Sequence, residues 1–164
     1  MSRAWVFGDD LDTDQMVPGR YAPFMVGQDK FHLYTFCDAR PGFAKEVQPG
    51  DVLVGGENFG CGSSREYAVA ALKKLGVGGI VAKSFARIFF RNCINLGIPV
   101  LESEDALAFA RDGDQVTLDL GAGVLRTPHG EARLRPLAAF AQEILAAGGV
   151  VAYLREHGDF PRVP

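Results

Sequence analysis

The residues of this chain best suited to chemistry lie side by side in one glycine-rich segment: Ser63, Ser64 and Arg65. The apolar run 52–54 just upstream predicts a buried strand. Glycines then let the backbone bend sharply and come close to a ligand; they occupy positions 55, 56, 60 and 62. Two hydroxyls and a guanidinium after such a loop indicate a site for a small anionic ligand.

A helix is expected to follow this loop. Ser63 and Glu66 have the spacing of a capping box, so we predict that Ser63 is the N-cap of a helix ending at Gly76. The start of a helix favours anions, because its N–H groups are unpaired and its dipole is positive there. Arg65 is poorly placed for that dipole, which makes sense if its paired donors face a carboxylate or phosphate. The plainer alternative is that Ser63 only caps the helix and Arg65 is solvated.

Common nucleotide and hydrolase motifs do not fit this loop. Arg65 stands where a dinucleotide fingerprint needs its third glycine, and no lysine follows Gly62 as a P-loop requires. Ser63 is followed by Ser64 and Arg65, so it is not a nucleophile elbow. A dinucleotide, a triphosphate or an α/β-hydrolase triad is therefore not expected here.

An aspartate-rich segment near the N-terminus offers a second group of charges. Asp10, Asp12 and Asp14 have the spacing of a calcium loop, but Gln15 replaces its glycine and Tyr21 its glutamate. We therefore expect a polar turn held by aspartate side chains rather than a metal site. The alternative is that one carboxylate, Asp14, lines a cleft.

Length and composition indicate one ordinary globular domain over residues 1–164, with 48% apolar residues. No apolar run approaches the roughly 20 residues that span a bilayer. The net charge of −3 argues against nucleic-acid binding.

The three cysteines, Cys37, Cys61 and Cys93, form no Cys-x-x-Cys pair. We therefore expect neither disulfides nor a metal or cluster site within this chain. A reducing, cytoplasmic location is the simplest expectation for such a chain.

The pattern of elements around the loop predicts an α/β fold. Apolar strands at 52–54, 79–82 and 100–101 alternate with helices at 63–75 and 84–96, which indicates a partly parallel sheet flanked by helices. A hairpin is expected at 115–127, and helices at 137–147 and 150–157 close the chain. Residues 16–36 are too irregular to assign. Arg87 and Arg91 share a helix face, ordinarily a solvated one, although Arg87 beside a cleft would bind an anion.

Three motifs resemble one family. DTDQMVPGRY (residues 12–21), NFGCGSSRE (58–66) and KSFARI (83–88) are similar to the swivel domain of the aconitase superfamily. They are more similar still to the free-standing small subunits of 3-isopropylmalate dehydratase and homoaconitase. The resemblance extends from about Val6 to Pro161, nearly the whole chain.

This resemblance implies a swivelling β/β/α domain that closes over a cluster-bearing large subunit, in a heterodimer or heterotetramer. The [4Fe–4S] cluster would belong to that subunit and not to this chain. The implied reaction is the dehydration and rehydration of a hydroxy di- or tricarboxylate, with the cluster iron as Lewis acid. No activity without the large subunit, and no membrane or nucleic-acid partner, is expected.

The resemblance also assigns roles to residues. Ser63 would be the catalytic base and Arg65 would bind a substrate carboxylate, with Ser64 and Asp14 in the same binding region and Arg87 in support. A serine alkoxide would need electrostatic help from the helix start and Arg65.

The loop that follows Arg20, namely Tyr21, Ala22, Pro23 and Phe24, would determine specificity, and it resembles certain bacterial homoaconitase small subunits. Homoaconitate, in lysine biosynthesis, is therefore favoured over isopropylmalate, in leucine biosynthesis. A non-catalytic anion-binding regulatory module is the alternative from a different class.

Overall fold

The computed structural model describes residues 2–162, and a seven-stranded sheet forms its centre. The strands are β1 (Ser2–Val6), β2 (Val52–Gly55), β3 (Gly79–Ala82), β4 (Val100–Glu102), β5 (Gln115–Asp119), β6 (Val124–Thr127) and β7 (Gly130–Arg133). Their order across the sheet is β4-β3-β2-β1-β5-β6-β7. Strands β1 to β4 are parallel, and β5 pairs antiparallel with β1.

The predicted strand–helix–strand alternation is confirmed in the parallel half. Helix α4 (Glu66–Lys74) connects β2 to β3, and α5 (Arg87–Leu96) connects β3 to β4. Helix α5 ends at Gly97, which has a φ of +85° that glycine adopts without strain. The fold is thus α/β, as the sequence predicts, with helices flanking a partly parallel sheet.

The other helices are short, apart from the final pair. They are α1 (Thr13–Met16), α2 (Pro23–Val26), α3 (Phe43–Glu46), α6 (Ala106–Phe109), α7 (Ala139–Ala147) and α8 (Val150–His157). The stretch that the sequence leaves unassigned, residues 16–36, also contains 3₁₀ turns at Gly19–Tyr21 and Phe31–Tyr34. Helices α7 and α8 confirm the expected closing helices.

The parallel strands are buried on both faces. Leu53 and Ile80 belong to a core cluster with residues of α4, α5, α7 and α8, whereas Val52, Val54 and Val81 belong to a second cluster on the other face. Successive side chains point to opposite faces of a strand, so an unbroken apolar run fits such a strand. Burial on both sides holds the carboxyl ends of β2 and β3, and the loops that leave them, in place.

Asp51 connects the first two strands. Its buried carboxylate accepts hydrogen bonds from the Arg3 N–H (3.0 Å), the Trp5 indole (3.0 Å) and the Gln48 N–H (2.9 Å). A buried carboxylate is tolerated when donors satisfy it. Asp51 therefore fixes β1 beside the start of β2.

The predicted hairpin is confirmed as β5 and β6, and β7 extends it into a three-stranded antiparallel unit. Ser2↔Val116 and Arg3↔Gln115 join this unit to β1. The third strand was not predicted, because GEAR (130–133) has little apolar alternation. Within residues 2–162, no helix has the length and apolar character that a membrane crossing requires.

Candidate active site

The segment 60–65 follows β2 and is tied to the residues around α1. The Gly60 N–H donates to the Leu11 carbonyl (2.8 Å), and the Thr13 N–H donates to the Cys61 carbonyl (2.9 Å). The buried Thr13 hydroxyl donates to the carbonyl of Ser63 at 2.8 Å. These bonds join two segments about fifty residues apart, so the loop has a defined course.

The prediction that Ser63 caps α4 is wrong. The helix begins at Glu66, its N-cap is Arg65, and no side chain caps it. Arg65 is extended (φ −116°, ψ 95°), and the Ser63 carbonyl is already bonded to Thr13. Because the loop is held by α1, it cannot turn into the helix at Ser63. The hydroxyl of Ser63 is consequently not used by the helix and is exposed, as is Ser64.

Arg65 and Asp14 form an ion pair at the edge of this loop. The guanidinium Nη1 lies 2.6 Å from Asp14 Oδ1, and the same oxygen accepts the Gly19 N–H at 3.1 Å. The side chain of Arg65 is 26% exposed and that of Asp14 63% exposed. A Cβ on Gly19 would lie 3.3 Å from Arg65 Nη1, so the guanidinium rests directly on the glycine backbone. Asp14 and Gly19 together orient the arginine.

An open cleft of about 490 Å³ runs from this loop to the start of α5. Ser63, Ser64 and Arg65 line it on one side, and Arg87 and Arg91 on the other. The described lining contains no aspartate or glutamate; the other lining residues are Thr13, Gly60, Gly62, Ala86, Ile88, Phe89 and Asn92. Because arginine is always charged, the cleft attracts anions.

The close approach of α5 depends on Gly60. Its φ is +83°, and a Cβ built there would lie 2.1 Å from the ring of Phe89. Phe89 in turn packs against Phe59, with ring centroids 5.6 Å apart. Gly62 also has a positive φ, +91°. The glycines that suggested close approach to a ligand thus also serve helix packing.

The predicted specificity loop lies next to Gly19 but is heterogeneous. Tyr21 stacks on Tyr34 with centroids 4.0 Å apart, and Ala22 is fully buried. Pro23 is the first residue of α2, and Phe24 is 82% exposed. Only Phe24 of these four therefore offers a large apolar surface to a ligand or partner.

The aspartate-rich segment is a hydrogen-bonded turn. Asp12 accepts the Gln15 N–H (2.7 Å) while Gln15 Oε1 accepts the Asp12 N–H (2.9 Å), which is a capping box for α1. Asp9 Oδ1 accepts the Glu57 N–H at 2.7 Å. The turn agrees with the expectation from the aspartate spacing, and the true capping box lies here rather than at Ser63.

The cysteines of this chain do not fit an iron–sulfur cluster. Cys93 is sealed in the core, where burial raises the pKa of its thiol well above the usual value. Burial, with Asp12 and Asp10 nearby, also raises the pKa of the Cys61 thiol, which disfavours the thiolate that a cluster ligand needs. Over residues 2–162, no three histidine, cysteine or acidic side chains come together to hold a metal ion.

Two residues of the site were missed from the sequence. Thr13 holds the Ser63 loop through its hydroxyl, and nothing local to residues 12–16 signals a contact so distant in sequence. Arg91 lines the cleft, although its shared face with Arg87 suggested solvent. The spacing of four residues was the available signal for Arg91.

Comparison with known proteins adds relatives over the full chain. The model of the aconitase C-terminal domain family matches residues 13–106. The homoaconitase small subunit of Thermus thermophilus is 56% identical over 161 residues, which are 98% of this chain and 99% of that protein. The 3-isopropylmalate dehydratase small subunit 1 of Deinococcus radiodurans is 52% identical over 98% of this chain and 90% of its own length.

A solved structure has the same architecture. The crystal structure of 3-isopropylmalate dehydratase from Methanocaldococcus jannaschii superposes with a TM-score of 0.86 at 40% identity, covering 96% of this chain and 93% of that one. The similarity therefore includes the antiparallel unit as well as the strands that carry the cleft.

Proposed function

Because the chain belongs to the aconitase C-terminal domain family and is a small subunit of an aconitase-family hydro-lyase, we propose that, with a large subunit, it isomerises a hydroxytricarboxylate by dehydration and rehydration, with homoaconitate and homoisocitrate as the favoured pair. One observation carries this proposal. Ser63, Ser64 and Arg65 share an open, cationic cleft with Arg87 and Arg91. We further propose that residues 1–164 form a single swivel domain, since one sheet contributes strands to the two large core clusters on its faces.

Ser63 is the proposed base. Its exposed hydroxyl has no role in capping α4, so the oxygen is free to approach a proton on a substrate carbon. As an alkoxide it would take the proton from that carbon; the electron pair of the C–H bond becomes the double bond while hydroxide leaves. The cation of Arg65 and the nearby start of α4 lower the cost of the alkoxide.

Arg65 is proposed to bind a substrate carboxylate, with Ser64 as a further hydrogen-bond donor. Its two terminal nitrogens suit the two oxygens of a carboxylate. One nitrogen already contacts Asp14. Asp14 therefore holds the fork in position and leaves the other donors for the substrate.

We place the [4Fe–4S] cluster on the large subunit, where it would supply the Lewis acid for the leaving hydroxyl. The cysteines of this chain do not fit such a group, for the reasons given above. The exposed cleft must then face the large subunit, so that the substrate lies between the two chains. Isolated small subunits are accordingly proposed to be inactive.

Homoaconitate is favoured by two features. The cleft has three arginines and no described acid in its lining, which suits a tricarboxylate. The relative at 56% identity is named a homoaconitase small subunit. Isopropylmalate remains the alternative substrate, because the relative at 52% identity is named for it and Phe24 offers an apolar surface.

A direct test is to co-express the chain with a cluster-bearing large subunit and to assay homoaconitate and isopropylmaleate. We expect hydration of homoaconitate to have the higher kcat/KM. A higher value for isopropylmaleate would transfer the assignment to the leucine-type reaction.

The regulatory alternative is tested on the isolated chain. The cationic cleft by itself would suit any small anion, so the chain is titrated with tricarboxylates and with nucleotides. Tight nucleotide binding without a large subunit, together with no turnover in the complex, would favour a non-catalytic module. Activity that appears only in the complex would favour the enzyme subunit.

A further inference from the structure

Helix α5 has one buried and one cleft-facing side. Phe89, Cys93 and Ile94 are in the core, whereas Arg87 and Arg91, one helical turn apart, line the cleft. Phe89 is packed against Gly60 and Phe59, so the helix is held in register with the loop that carries Ser63. The core thus fixes the α5 backbone that carries the two arginines, and their exposed side chains line the same cleft as Ser63 and Arg65.

Arg87 and Arg91 differ from Arg65 in their charge partners. Arg65 is paired with Asp14, whereas neither arginine of α5 forms an ion pair with any residue between 2 and 162. Like charges four residues apart destabilise a helix, and a cation at its first residue opposes the dipole. Local stability thus disfavours both arginines at these positions.

We propose that Arg87 and Arg91 form a second carboxylate subsite, which selects tricarboxylates over dicarboxylates. This inference rests on the proposed function, since it requires one substrate carboxylate on Arg65. A further carboxylate then neutralises the cations of α5. A branched hydrocarbon group at the same place would instead desolvate two guanidinium groups without compensation, which costs binding free energy.

The test uses unreactive ligands with the assembled holoenzyme. Propane-1,2,3-tricarboxylate and glutarate differ in a single carboxylate, so their inhibition constants isolate its contribution. Arg91→Gln should weaken inhibition by the tricarboxylate about tenfold, the loss expected for a charge-assisted hydrogen bond, and leave glutarate unchanged. Arg87→Gln is measured in parallel. The control is Arg111→Gln, an exposed arginine outside the cleft lining, which should change neither constant.

The inference is overturned if Arg91→Gln and Arg87→Gln weaken both inhibitors equally or weaken neither. Its failure is distinguishable from that of the proposed function. A wild-type complex that hydrates homoaconitate but shows no selective loss keeps the function and removes the subsite. Selective loss of the tricarboxylate in a complex that does not hydrate homoaconitate supports the subsite and removes the assigned substrate.

Discussion

At the scale of single residues, Ser63 and Arg65 are adjacent in sequence but differ in their surroundings. The hydroxyl of Ser63 is exposed and free of the helix, whereas Arg65 is partly buried and paired with Asp14. A base must be able to reach its substrate, and a binding cation must be oriented before the substrate arrives. Each residue therefore has the environment that its proposed role requires.

Ser63→Ala should separate catalysis from stability. We expect turnover in the complex to fall by at least about 100-fold, as for loss of a general base. The free energy of unfolding should change by less than about 0.5 kcal/mol, because Ser63 does not cap α4. A helix cap would instead cost about 1 kcal/mol. Steady-state kinetics and urea denaturation measure the two effects.

Ser64→Ala is the matched control for that experiment, because Ser64 is the neighbouring exposed hydroxyl. We expect it to raise KM with a much smaller loss of kcat. Equal losses of kcat in the two variants, or undiminished turnover in Ser63→Ala, would refute Ser63 as the base.

Asp14→Asn should act through Arg65. Without the carboxylate, the guanidinium loses its 2.6 Å contact and becomes mobile, so KM should rise with little change in kcat. Solvent screens the pair because the side chain of Asp14 is mostly exposed, so the free energy of unfolding should fall by less than about 1 kcal/mol. Kinetics of the complex and thermal unfolding test this. A lower KM would show that Asp14 competes with the substrate for Arg65.

At the scale of elements, the junction of the glycine loop with α5 positions the site. Phe59 also forms an isolated parallel β-bridge with Phe85, so the segments that follow β2 and β3 lie side by side. The cleft is thus formed by loops that leave the carboxyl ends of two neighbouring parallel strands, and the hydrogen bonds of Thr13 in α1 hold the glycine loop in place. Such crevices are frequent ligand sites in open α/β sheets.

Gly60→Ala tests this junction. The left-handed φ costs about 1–2 kcal/mol for alanine, and the clash with Phe89 adds roughly 1–3 kcal/mol of overpacking. Gly113→Ala is the control, since Gly113 has a φ of +87° and no atom within 4 Å of its Cβ position. Urea denaturation of the isolated chain should show the larger loss for Gly60. Equal losses of unfolding free energy in the two variants would mean that α5 moves to accommodate the new Cβ with no loss of stability.

At the scale of the whole molecule, exposed apolar side chains occur in the lining of the open cleft and in the loop that follows Gly19. Phe24 is 82% exposed, and Ile88, which lines the cleft, is half exposed. Exposed apolar and aromatic side chains are characteristic of surfaces that bind a partner. They agree with the proposed position of the large subunit over the cleft.

Phe24→Ser should weaken binding of the large subunit by at least about tenfold, the loss expected for an aromatic interface residue. Val151→Ser, on α8 and 58% exposed, is the control and should leave binding unchanged. The dissociation constant of the two subunits measures the effect. If both variants bind as the wild type does, the partner does not use the loop of Phe24.

Much of the fold follows from local sequence. Apolar runs of strand length, a helical period at 84–96 and Gly97 as its stop predict the parallel half of the sheet, since each signal acts within a few residues. The motif around Ser63 likewise marks the loop that lines the cleft. The irregular segment 16–36 could not be assigned, because its short turns are held by packing rather than by periodicity.

The tertiary structure alone decided where the helix begins and which charges meet. Locally, Ser63 and Glu66 make a sound capping box, but the Thr13 hydroxyl, fifty positions earlier, bonds the Ser63 carbonyl and keeps the loop extended. Asp14 reaches Arg65 across a similar separation, and Phe89 brings Arg91 to the cleft. Local patterns determine helices and strands because the interactions that favour each element act between residues close in sequence. The site depends instead on contacts between residues far apart in sequence, which form only when the chain has folded.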